Sequence, residues 1–133
     1  MGTWDVGPFD NDTAADWCGG LDDAAPEARE AMVRAALTET ADTTDYLDSD
    51  VANEAIAAAA LVAAQCPGGA PADSAYGPDE PLPDLTGLRG LALRALDRVL
   101  TEPSEALELW EEAEDGPWHT GINQLRGTLM PRP

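Results

Sequence analysis

The chain of 133 residues has no lysine, one histidine (His119), one phenylalanine (Phe9) and two cysteines. Each shortage closes off a class of function. Seven arginines face twenty-six Asp and Glu, a formal net charge of −19 at pH 7. A nucleic-acid binder needs a cationic stripe to displace counterions from phosphates, and this sequence has no basic cluster. An anionic membrane surface repels such a chain for the same reason. Gly68-Gly69 is not followed by the lysine of a phosphate-binding loop. Zinc sites draw several ligands from His and Cys, and His119, Cys18 and Cys66 sit at no recognised spacing. No Ser/His/Asp or Cys/His motif frames His119 either. The longest apolar run, Ala55 to Ala64, is about half the ~20 residues that span a bilayer. No metal, no cofactor, no nucleic acid and no membrane are therefore expected.

The opening Met1-Gly2-Thr3-Trp4-Asp5 has neither a cationic region nor an apolar stretch, so it does not read as a secretion signal. Asp5 and Pro8 make Gly2 a poor acylation site. A cytoplasmic location follows as the expectation, and with it a free Cys18 and Cys66 more than a disulfide.

What is present is alanine. Hydrophobic residues make up 44% of the chain, enough for a core without staples. Alanine loses no side-chain entropy in a helix, and β-branched residues are few. The expected architecture is all-α: a single domain over 1–133, built as a bundle of five or six short helices. It begins with an irregular arm over 1–9, broken by Gly7 and Pro8, and contains a long Pro/Gly loop over 67–83.

Apolar spacing places the helices. Ala14, Trp17, Cys18 and Leu21 fall at i, i+3, i+4 and i+7, behind a cap at Asp10, and Gly19-Gly20 predicts the stop. Asp23 is the expected cap of a second helix over 24–40, with Pro26 in its first turn. There Ala28, Met32, Val33, Ala36 and Leu37 face inward, and Arg29, Glu30, Arg34 and Glu39 face away. Glu30 and Arg34 have the favourable i,i+4 order. Residues 41–50 read as a polar loop. A third helix to Cys66 is apolar nearly all round, so it is expected at the centre. Five prolines and three glycines between 67 and 83 exclude regular structure there. Leu85, Leu88, Ala92, Leu96 and Val99 form the seam of a fourth helix to Leu100. A fifth is predicted over 105–114. After the Gly116-Pro117 break, a last helix carries Trp118, Ile122, Leu125 and Leu129.

The acidic run Asp10-Asn11-Asp12 has the opening spacing of a calcium loop. It fails beyond that: Ala14 occupies the third ligand position, the turn glycine is absent and no Glu closes the loop. Helix capping explains the cluster better. Trp17, Trp110 and Trp118 lie on inward faces, whereas Trp4 lies on the broken arm, where it pins the arm or anchors a partner. Arg94 and Arg98, one turn apart, invert the local charge. At least one is expected to make a structural ion pair to another helix, with Asp10, Asp12, Asp16 or the Glu-rich fifth helix.

The stretch Gly2 to Trp17 resembles the start of a bacterial family catalogued as domain of unknown function 4259. That family opens with a Trp-Gly-x-Gly-x-Phe-x-Asn-Asp run, followed by a helix ending in Asp-Trp. The matching residues are Trp4, Gly7, Phe9, Asp10, Asn11, Asp12, Ala14, Asp16 and Trp17. Asp5 departs from the pattern, standing where the family has Gly. If that position needs a positive φ, Asp is among the residues that tolerate it best. The resemblance implies a helical fold and no established activity.

The charge and the lack of a catalytic constellation lead to a non-catalytic interaction or regulatory module. An immunity- or inhibitor-like protein that engages a basic protein partner is its concrete form. The alternative is a small-ligand binder or enzyme. Its site would lie between Trp4, Asp12, Asp16 and the 67–83 loop.

Overall fold

A helix with no polar face must be covered on every side, and that requirement organises the protein. The computed structural model describes residues 12–65, 85–101, 104, 105, 108 and 116–129; within these, the side chains of Asp12, Pro26 and residues 116–121 are not described. The fold is all-α. Among the described residues its helices are α1 (Asp12–Asp23), α2 (Pro26–Ala41), α3 (Ser49–Ala64), α4 (Arg89–Val99) and α5 (Gly116–Leu129). A 3-10 turn, Thr86–Leu88, leads into α4. Ten residues of α3 are buried, from Ala52 to Ala63, and α3 packs on α1, α2, α4 and α5. Its alanines let four neighbours approach one axis.

The apolar seams lie where their spacing put them. Ala14, Cys18 and Leu21 of α1, and Val33, Ala36 and Leu37 of α2, are buried. So are Leu85, Leu88, Ala92, Leu96 and Val99, and Ile122 and Leu129 of α5. Trp17, Met32 and Leu125 pack on this core while partly exposed. The predicted arm over 1–9, the 67–83 loop and most of the 105–114 helix lie outside the described residues. At the borders of the loop, Gln65 Oε1 accepts the Leu85 N–H at 2.7 Å, so α3 ends beside the start of the next helical segment. Glu108 donates its N–H to Ser104 O at 3.1 Å, one helical turn at the start of the predicted fifth helix.

Three local expectations change. Gly19-Gly20 does not stop α1, which continues to Asp23. Leu21 lies on the buried face beyond the glycines, and its burial outweighs the roughly 1 kcal/mol that each glycine costs a helix. Asp23 is then the last residue of α1, and the cap of α2 is Ala25, extended at φ −61° and ψ 144°. Pro26 accounts for that: it excludes helical geometry at the residue before it. Finally, Arg29 does not face solvent. It is 6% exposed, for a reason that belongs to the electrostatics below.

The polar 41–50 segment also holds a core residue. Leu47 is buried and forms an isolated parallel bridge with Ser104. The Glu105 N–H donates to Leu47 O at 2.8 Å. Thr40, fully buried, donates its hydroxyl to Val51 O at 3.3 Å. No helix among the described residues is long and apolar enough to cross a membrane.

Candidate functional site

Six of the seven arginines are described, and three of them bind backbone carbonyls. Arg29 donates Nε to Leu21 O at 2.9 Å and Nη2 to Asp22 O at 3.2 Å. These carbonyls lie in the last turn of α1, at the negative end of the helix dipole, and Leu21 O also accepts the Ala24 N–H at 3.2 Å. Arg89 does the same for α5, with Nε donating to Leu129 O at 3.1 Å. Arg98 donates Nε to Thr43 O, Nη2 to Asp45 O and Nη1 to Thr101 O, each at 2.7 Å. It therefore joins the end of α4 to the Asp42–Asp48 loop.

The other three stand beside carboxylates. Arg34 Nη2 reaches both oxygens of Glu30, at 3.1 and 3.3 Å, on the exposed side of α2. Arg94 Nη2 lies 3.8 Å from Asp42 Oδ1, at the end of α2 and not among the carboxylates expected from the sequence. Both side chains are 66% exposed, so this pair contributes little. Arg126 Nε lies 2.7 Å from Asp97 Oδ1, yet its N–H makes no aligned hydrogen bond. Among the described residues, arginine thus finishes helices and pairs with single carboxylates, and seven arginines are too few to match twenty-six Asp and Glu.

Among the described residues, carboxylates gather where α3 begins. Asp48 caps the helix, its Oδ1 accepting the Asp50 N–H at 2.8 Å. Glu105 reaches across from another segment, and its Oε1 accepts the Ser49 N–H at 2.9 Å. Both carboxylates meet the positive end of the helix dipole. Tyr46 donates its hydroxyl to Glu108 Oε1 at 3.3 Å. Partial desolvation, followed by the charges of Glu108, Glu105 and Asp48, raises the Tyr46 phenol above its ordinary value. One turn into α3, burial raises the Glu54 carboxyl, and the carboxylates of Glu39 on α2 and Asp50 raise it further. Like charges at i,i+4, as in Asp50 and Glu54, oppose each other on a helix.

Thr13 connects this region to α1. Its Oγ1 donates to Asp50 Oδ1 at 3.0 Å. The start of α1 is therefore beside the start of α3. Of the N-terminal motif, Trp4, Gly7, Phe9, Asp10 and Asn11 lie outside the described residues. Asp12 opens α1, Asp16 is exposed, and Trp17 packs partly buried against the core. The alternative site between Trp4 and the 67–83 loop also falls outside them. Cys18 is buried as a free thiol, pushed up to about 12 by burial and then by Asp22. Among the described residues no group of His, Cys, Asp or Glu converges to hold a metal ion.

Sequence reasoning missed Tyr46, Glu105 and Glu108 as one cluster. The alternation of exposed Tyr46 with apolar Leu47 was the available signal. The pairing with 104–108 that brings the carboxylates in is long-range and leaves no local pattern.

A family profile described as domain of unknown function (DUF4259) matches residues 2–120. No curated protein and no solved structure matches the chain.

Proposed function

The chain belongs to the family described as domain of unknown function (DUF4259), and from that premise we propose that it is a non-catalytic protein-interaction or regulatory module of the cytoplasm. Its partner is a basic protein, as with immunity or inhibitor proteins that cover a cationic target. The observation that carries this reading is the disposition of charge. The net charge is −19, and Arg29, Arg89 and Arg98 bind helix-end and loop carbonyls. The exposed carboxylates around the start of α3 then project a negative field with little internal compensation. Such a field accelerates encounter with a cationic surface and selects against acidic ones. The buried thiol of Cys18 suits a reducing compartment.

The test is affinity capture from the native host at low and moderate salt, with an unrelated protein of matched negative charge as control. The expected result is a basic protein retained by this chain and not by the control, with retention that weakens as salt rises. Equal retention by the control would reduce the acidity to a solubility device.

A further inference from the structure

The connection between α2 and α3 is tied at its base. Fully buried Thr40 donates its hydroxyl to Val51 O at 3.3 Å, which joins the end of α2 to the first turn of α3. Between those two residues one side chain, Leu47, is buried. Hydrogen bonds supply the rest of the hold, and a later stretch of the chain provides them. Arg98 donates to Thr43 O and Asp45 O, each at 2.7 Å. The Glu105 N–H donates to Leu47 O at 2.8 Å, and Glu105 Oε1 accepts the Ser49 N–H at 2.9 Å. Leu47 also bridges buried Ser104.

Arg98 grips both sides of this contact. Its third donor, Nη1, reaches Thr101 O at 2.7 Å, where the chain leaves α4 toward Ser104. A guanidinium holds its donors in a rigid plane, so it fixes the loop carbonyls relative to Thr101. Thr101, Arg98, Asp45, Leu47 and Glu105 therefore close a ring of chain and hydrogen bonds. With Arg98 in place, the Leu47–Glu105 bond closes a short path, and the entropy of closing it is small. Without Arg98 both segments must be ordered before that bond forms.

We infer that Arg98 is the latch of a separate opening unit. Residues 44–49 and the backbone at Thr101, Ser104 and Glu105 leave the helical core together, while Thr40 and Val51 keep α2 and α3 joined. Opening withdraws Leu47 from the core and uncovers the Ser49 N–H at the start of α3. A region anchored by one buried side chain and by surface hydrogen bonds opens at lower free energy than the core does. Nothing in this device depends on the identity of a partner.

Native-state amide exchange of the full chain, read residue by residue by NMR, tests the latch. The Glu105 and Ser49 amides report the unit, and those of Ala58 and Leu61, in the buried centre of α3, report global opening. In wild type the first pair should exchange faster than the second, after correction for intrinsic rates. Arg98→Met keeps the apolar stem. It should speed Glu105 and Ser49 together by about tenfold relative to Ala58 and Leu61, the weight of one charge-assisted hydrogen bond. Arg98→Lys keeps the charge and loses the fork, and should speed the same two amides by less. Arg94→Met removes the same charge one turn away and should leave their rates relative to Ala58 and Leu61 unchanged. Unchanged exchange in Arg98→Met, or faster exchange at Glu105 without Ser49, would overturn the unit. Equal speeding of Ala58 and Leu61 would make Arg98 part of the global fold, and an equal response to Arg94→Met would assign the effect to net charge. Either of these also overturns the latch.

Discussion

Removing Arg29 tests how this protein uses a scarce cation. Arg29 sits 6% exposed on α2 and donates to the last carbonyls of α1, at Leu21 and Asp22. A hydrogen bond from a charged donor contributes about 1.5–3 kcal/mol net, and Leu21 O keeps the Ala24 N–H when the guanidinium is removed, so no orphaned-carbonyl penalty is added for it. A cation in a partly buried position at a helix C-terminus adds up to ~2 kcal/mol. These terms overlap, because the same two carbonyls carry the dipole. Arg29→Met keeps the apolar stem and removes the donors. It should therefore destabilise the fold by about 3 kcal/mol, a large part of the roughly 5–15 kcal/mol that a domain has. Arg29→Lys keeps the charge and loses the fork, so a loss of about 1 kcal/mol is expected. Urea unfolding reads both, with an unchanged slope showing that the unfolded ensemble is comparable. If Arg29→Met lies within about 0.5 kcal/mol of wild type, Arg29 is not closing α1, and the account of its burial is wrong.

Three further outcomes are expected. Gly19 lies inside α1 with open space where a Cβ would stand, so Gly19→Ala should stabilise by about 1 kcal/mol in the same unfolding assay. The raised Glu54 carboxyl favours its neutral form in the fold. Its contribution to stability is present below its unfolded pKa and is lost as pH rises through its folded one. Melting curves should thus show wild type gaining on Glu54→Gln as pH falls from neutral toward the carboxylate range, and Glu54→Gln ahead at pH 7. In a Cys66→Ser background, the buried Cys18 thiol, pushed up to about 12, should resist alkylation at pH 8 until the chain opens. Labelling as fast as that of a free thiol would contradict its burial.

The helical class and the core seams were legible because helical packing is local in sequence. Leu85, Leu88, Ala92, Leu96 and Val99 advertise one face by spacing alone, and every one is buried. The all-round apolar character of 55–64 likewise announced a central helix. Arg29, Leu47 and the Glu105 cap were illegible for a common reason. Each is decided by a partner far from it in sequence or on another element: the α1 terminus for Arg29, Ser104 for Leu47 and the α3 terminus for Glu105. Helix ends create such demands, and composition does not reveal which distant side chain will meet them. Charge misled in the same way. An arginine on α2 invites a solvent-facing assignment, yet it reaches carbonyl oxygens inside the protein. The family motif marked the start of α1 and left open which surface works with it. The Thr13 to Asp50 hydrogen bond places that start beside the acidic first turn of α3.

The central claim is that the uncompensated acidic surface exists to engage a basic protein. Its most direct measurement is the association rate of the purified chain with the protein it captures from its host, as a function of salt. The account predicts an on-rate that falls steeply as ionic strength rises while the off-rate changes little. An on-rate indifferent to salt, or one reproduced by an unrelated protein of equal negative charge, would contradict it.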